Sequence, residues 1–146
     1  MKNVVKPDQV IINILSGLLI LLWVYVALSK LSDFHAFQWQ MRNQVFSREL
    51  ATLISYVLPG IEMVVAALLF FESSRMAGFL VSAFMLFVFS GYILLIVLHV
   101  FPRVPCSCGG VLKSMGWNVH LWFNLAYLLF ASWGWWLCRK RKEVLA

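Results

Sequence analysis

Four long runs almost without charge constrain this chain more than any other feature. Between Asp8 and Lys30, the residues Gln9–Ser29 contain no Asp, Glu, Lys, Arg or His. Leu50–Phe71 contains one charge, Glu62. Met76–Leu98 contains none, and in Ser114–Cys138 only His120 interrupts. A helix needs about 20 mostly apolar residues to cross the hydrocarbon of a bilayer. Backbone N–H and C=O groups find no water there, so the runs are expected to be helices. A transmembrane β-barrel would show short alternating segments instead, and none is present. The expected fold is therefore all-α, a four-helix membrane bundle in one domain over residues 1–146, with spans near 10–29, 50–71, 76–101 and 117–138.

The composition agrees. In 146 residues, 62% are hydrophobic and 12% charged, whereas about a quarter of a soluble domain is charged. A water-soluble globule of this length has too little interior for so much apolar surface. The first run follows Lys2 and Lys6 as a signal peptide would. It is longer than the usual apolar region of such a peptide and lacks a small-residue cleavage site, so it reads as a retained helix.

The net charge of +6 suggests nucleic acid until the charges are located. The tail Arg139-Lys140-Arg141-Lys142 is concentrated beside the fourth run. With Lys2, Lys6 and Arg75 it places more Lys/Arg on the side of the termini than Lys30, Arg42, Arg48, Arg103 and Lys113 place on the other. The positive-inside rule then puts both termini in the cytoplasm. The tail becomes a topology anchor against anionic lipid, and no nucleic-acid partner is expected. Small residues at Gly78, Ser82, Ser90 and Gly91 suggest close helix approach. Pro59-Gly60 should kink the second span. Trp117, Trp122, Trp133, Trp135 and Trp136 read as an interfacial belt around span four.

Three sets of residues could carry chemistry. The first is Pro105-Cys106-Ser107-Cys108-Gly109-Gly110 in the loop between spans three and four. On the topology above it faces an oxidising compartment, where neighbouring thiols tend to pair. A Cys-x-Cys disulfide closes a small ring and is easily reduced, so Cys106 and Cys108 are candidates for a labile redox pair. Nearby Arg103 and Lys113 would favour a thiolate. The second set adds His99 and His120, which bracket the pair. Two thiolates and two imidazoles would suit Zn or Cu(I), so a metal site remains an alternative. The third is Glu62, the lone carboxylate inside a span. A charge at such a position costs about 2.5–3.5 kcal/mol and usually has a partner. Lys30 is the candidate, with Asp33 nearby. Together with His120 they could form a proton relay or polar pocket, or else a structural ion pair. Cys138 lies beside the basic tail, away from the pair, and reads as a small apolar residue.

Four fragments occur in order: Trp23-Val24-Tyr25-Val26-Ala27-Leu28-Ser29-Lys30-Leu31 with Asp33 and Phe37, Leu58-Pro59-Gly60-Ile61-Glu62-Met63, a third apolar helix, and Cys106-Ser107-Cys108-Gly109-Gly110. Together they resemble the MauE/DoxX family of redox-associated bacterial membrane proteins, methylamine-utilisation MauE above all. The Cys-x-Cys-Gly element in that loop is the most specific part. It departs from the family's common Cys-Gly-Cys-Phe-Gly pattern, with Ser107 in place of the first Gly and Gly109 in place of Phe. The resemblance implies a bacterial inner-membrane protein that supports oxidation or maturation of periplasmic partners. MauE-like proteins are associated with maturation of the disulfide-rich small subunit of methylamine dehydrogenase. DoxX-type relatives are linked to sulfur-compound oxidation with quinone as acceptor. It implies Cys106 and Cys108 as a thiol–disulfide oxidoreductase pair, and Lys30 and Glu62 as the family's polar membrane positions. The partner would be a periplasmic thiol-bearing protein or a membrane redox protein, with quinone a candidate cofactor. The alternative is a non-enzymatic assembly or scaffold subunit whose Cys/His cluster is structural or metal-binding.

Overall fold

The computed structural model describes residues 7–43, 47–100 and 116–145. The described residues form five α-helices and no strand: α1 (Pro7–Ser32), α2 (Phe34–Arg42), α3 (Arg48–Phe70), α4 (Arg75–Val97) and α5 (Trp117–Leu145). Three of them, α1, α3 and α4, are long and apolar enough to cross a membrane. Large apolar side chains point outward all along the bundle: Leu21, Phe70, Phe84 and Phe87 are each 68% exposed. In water such a surface would aggregate, whereas in lipid it is the solvated face.

The four long helices pack in a ring. α1 lies against α3 and α5, and α4 against α3 and α5. The α1–α4 diagonal is bridged by Trp23, whose indole Nε1 donates to Ser82 Oγ at 2.9 Å. The solid core sits in the half of the bundle near the α3–α4 turn. There Ile12, Leu15, Leu19, Val65, Leu69, Phe79 and Ala131 bury one another. Small residues allow the approach. A Cβ on Gly78 would come within 2.8 Å of Leu69 N, and one on Gly134 within 2.3 Å of the Phe79 ring.

The α3–α4 turn is closed by side chains. The last carbonyls of a helix have no intrahelical donors. Arg75 Nε donates to Leu69 O at 3.0 Å, and Ser74 Oγ to Leu68 O at 3.0 Å. Arg75 Nη1 reaches Asn13 Oδ1 on α1 at 2.9 Å. A cation in the first turn of its own helix is unfavourable, but here it serves the C-terminus of α3.

Between α1 and α3 the chain forms the short helix α2. Asp33 caps α2, accepting from Ala36 N at 3.1 Å. Phe37 and Met41, one turn apart, are buried against Ala51 of α3. Such a short helix is stabilised by cap and packing rather than by its own propensity. α4 ends at Val97. His99 takes φ 55°, His99 N donates to Ile96 O at 3.0 Å, and Val100 N donates to Leu95 O at 3.1 Å. That pairing is a Schellman termination, with histidine in the left-handed position that glycine usually fills. α3 runs through Pro59 as one helix. Proline leaves the Ser55 carbonyl without its usual i+4 donor, and Ser55 Oγ bonds Thr52 O at 2.7 Å. Trp122, Trp133 and Trp136 face outward, but Trp135 packs against the core and Trp117 is half-buried.

Candidate functional site

Away from the α3–α4 turn the bundle is hollow. A cavity of about 600 Å³ lies among α1, α2, α3, α4 and α5, within the range of small-ligand sites. Its walls are largely apolar and aromatic, with Trp23, Phe37, Leu58, Phe89 and Phe123 among them. The polar groups that line it are few: Lys30, Glu62, Tyr92, Trp117, His120 and Asn124.

Lys30 and Glu62 are brought together there. Lys30 lies in the last turn of α1, yet it is 7% exposed and Glu62 is 0% exposed. From the last turn of α1 its side chain turns into the bundle. Lys30 Nζ forms an ion pair with Glu62 Oε1. α1 and α3 pack side by side over much of their length, which sets the two residues facing. The ammonium also lies 5.8 Å from the centroid of the Phe37 ring, within cation–π range. The Lys30-Leu31-x-Asp33 element thus has a local logic. Lys30 turns inward, Asp33 caps α2, and α2 carries Phe37 over the ammonium. Among the described residues, Glu62 Oε2 has no hydrogen-bond partner, and neither does the buried Ser90 Oγ.

His120 lies on the first turns of α5 and borders the same cavity. It stacks on Trp117, with ring centroids 6.4 Å apart and planes 14° apart. His99 is exposed at the end of α4. Among the described residues, no group of three or more His, Cys, Asp or Glu converges as a metal site would require. Cys106 and Cys108, on which the redox and metal readings both depend, lie outside the described residues. Cys138 is a free, half-buried thiol packed against the core.

Sequence reasoning passed over Asn124, Tyr92 and Trp117 as cavity-lining residues. Asn124 had a signal: a buried amide within an apolar run is costly unless it serves a polar interior. Tyr92 and Trp117 had none, since aromatic residues are common throughout these helices.

The comparisons with known proteins are sparse. No curated protein and no solved structure matches the chain significantly. The family model described as methylamine utilisation protein MauE matches residues 8–137. That match takes in all five helices up to the basic end of α5, together with Lys30, Glu62, Cys106 and Cys108, and on it the chain belongs to the MauE family of membrane proteins.

Proposed function

We propose that this MauE-family chain is a thiol–disulfide redox protein of the bacterial inner membrane. In this reading α5 is a fourth span, both termini are cytoplasmic, and residues 1–146 act as one membrane domain. The Cys106–Cys108 disulfide accepts two electrons from a dithiol on a periplasmic partner. The partner leaves with a new disulfide, and both cysteines become thiols. A membrane quinone then takes the two electrons and two protons, becoming quinol and restoring the disulfide. Lys30, Glu62 and His120 supply a polar path for those protons.

The observation that carries this reading is the position of the cavity. Leu95, near the end of α4, and Trp117, at the start of α5, both border it. The chain therefore leaves and re-enters the bundle at the cavity end. A buried ion pair and an imidazole in an apolar chamber suit proton-coupled electron transfer better than they suit a passive scaffold.

The test is a redox titration of purified protein with thiol labelling of Cys106 and Cys108. A reversible couple well above about −300 mV, below which structural disulfides lie, supports the reading. Thiols that never pair, or stoichiometric co-purified Zn or Cu, overturn it in favour of a structural or metal-binding assembly role.

A further inference from the structure

A second cleft, of about 620 Å³, lies where α2 ends and α3 begins. It shares no lining residue with the chamber. Trp39, Arg42, Asn43, Arg48, Glu49 and Thr52 line it. Three charges thus face one space, two positive and one negative. Among the described residues, none of Arg42, Arg48 and Glu49 forms an ion pair. Arg48 stands in the first turn of α3, where the helix dipole disfavours a cation. An anion held beside it would offset that cost.

The cleft borders the lipid-facing surface. One to two turns further along α3, Leu53, Tyr56 and Val57 are exposed, on a helix long and apolar enough to cross a membrane. Trp39 on α2 is 63% exposed, as an indole at the membrane–water interface would be. A molecule with apolar tails against α3 and a polar end in the cleft fits this arrangement. Free phosphate would use the arginines and leave the α3 face unused. An acidic peptide, or a headgroup that is only anionic, would set its charge against Glu49. A headgroup with both a phosphate and a primary ammonium matches all three charges. The phosphate accepts from the two guanidinium groups, and the ammonium donates to the carboxylate. A trimethylated amine would bring the charge but no N–H. We propose that the α2–α3 cleft binds a phospholipid of this class, with Arg42 and Arg48 on its phosphate and Glu49 on its ammonium. Held in this way, the headgroup joins the end of α2 to the start of α3 from outside the chain. The inference is independent of the redox reading, since it uses neither Cys106 and Cys108 nor the chamber.

The test is native mass spectrometry of the full chain, released from micelles that hold equal amounts of phosphatidylethanolamine, phosphatidylglycerol and phosphatidylcholine with identical acyl chains. One phosphatidylethanolamine is expected to be retained about threefold or more over either rival, the scale of one exposed ion pair. Arg42→Gln with Arg48→Gln should lower retention of all three lipids. Glu49→Gln should instead keep a bound lipid and abolish the preference over phosphatidylglycerol. All three side chains are exposed, so these variants leave the packed bundle in place. Neutralising Arg139 and Lys140, at the end of α5, should leave the preference unchanged. Glycerophosphoethanolamine, the same headgroup without tails, should not displace the lipid at equal concentration. Displacement by it would overturn the proposal in favour of a soluble phosphate ester. Equal retention of the three lipids, a preference unmoved by Glu49→Gln, or one lost with Arg139 and Lys140 would each overturn it too, and leave this face to a protein partner.

Discussion

Lys30 and Glu62, 32 positions apart, are joined in a buried ion pair between α1 and α3. Both charges are withdrawn from water, and each is tolerable only because of the other. Removing one partner of a buried pair strands the remaining charge, at about 3–5 kcal/mol, whereas replacing both is often nearly neutral. Lys30→Met and Glu62→Gln are therefore each expected to destabilise the bundle by about that amount. The double variant should recover most of the loss. Reversible unfolding in mixed micelles measures all three. Additive losses in the double variant would show that the two charges do not depend on each other.

Trp23 and Ser82 set a second, milder test. Their 2.9 Å hydrogen bond links α1 to α4 across the ring. Interhelical hydrogen bonds in membranes average about 0.6 kcal/mol and reach about 1.7. Trp23→Phe and Ser82→Ala should each cost on that order, with strong non-additivity in the double variant. A double-mutant cycle of unfolding free energies reads the coupling directly.

The glycines divide by their surroundings. Gly78 and Gly134 sit where another residue occupies the space of a Cβ. Overpacking of this kind costs about 1–3 kcal/mol, so Gly78→Ala and Gly134→Ala should lower unfolding stability by that order. At Gly17 and Gly91 a Cβ meets nothing within 4 Å. Alanine there is expected to be neutral or to stabilise by up to about 1 kcal/mol, through helix propensity. The same mixed-micelle unfolding assay ranks the four.

What could be read from sequence follows from what each feature depends on. The bilayer imposes its thickness on every span, so α1, α3 and α4 were visible as uninterrupted apolar runs. Glu62 was visible because a single carboxylate inside such a run is conspicuous, and Lys30 because it is the cation that closes the first run. α2 was hidden because nine residues with His35, Gln38, Gln40 and Arg42 look like a polar loop until a neighbouring helix supplies the surface for Phe37 and Met41. The cavity was hidden for a different reason. It belongs to no segment, since it is the space left where five helices fail to fill their common interior. Asn124 and Trp117 acquire meaning only once α5 is set beside it.

Orientation is tested by placing single cysteines at the two ends of the bundle, in a background lacking Cys106, Cys108 and Cys138. Ser73 lies in the α3–α4 turn and Asn43 just after α2, and both are exposed. In intact cells, a membrane-impermeant maleimide should label Asn43→Cys and spare Ser73→Cys. Neutralising Arg139, Lys140, Arg141 and Lys142 should blur that difference, because the Lys/Arg bias orients the spans. In this structure Arg139 and Lys140 lie over the rings of Trp135 and Trp136, at 5.6 and 5.3 Å. That places charge and aromatic anchor together at one end of α5.

Asp33 controls whether α2 stays closed over the ion pair. Its carboxylate accepts from Ala36 N, and loss of such a cap costs about 0.5–2 kcal/mol. α2 has only nine residues, so that loss is large relative to what holds it. Its remaining ties are the burial of Phe37 and Met41 and the contact of Phe34 with Tyr56, whose rings are 5.1 Å apart. Asp33→Ala should therefore loosen α2 without unfolding the bundle. Phe37 would lift from the Lys30 ammonium, and water would gain access to the chamber. Hydrogen exchange is expected to quicken at the amides of α2 and stay slow through α1 and α4. Asp33→Asn should restore protection, because an asparagine side chain caps as well as an aspartate does. If exchange quickens equally in Asp33→Asn, the negative charge beside Lys30, and not the cap, is what holds α2 in place.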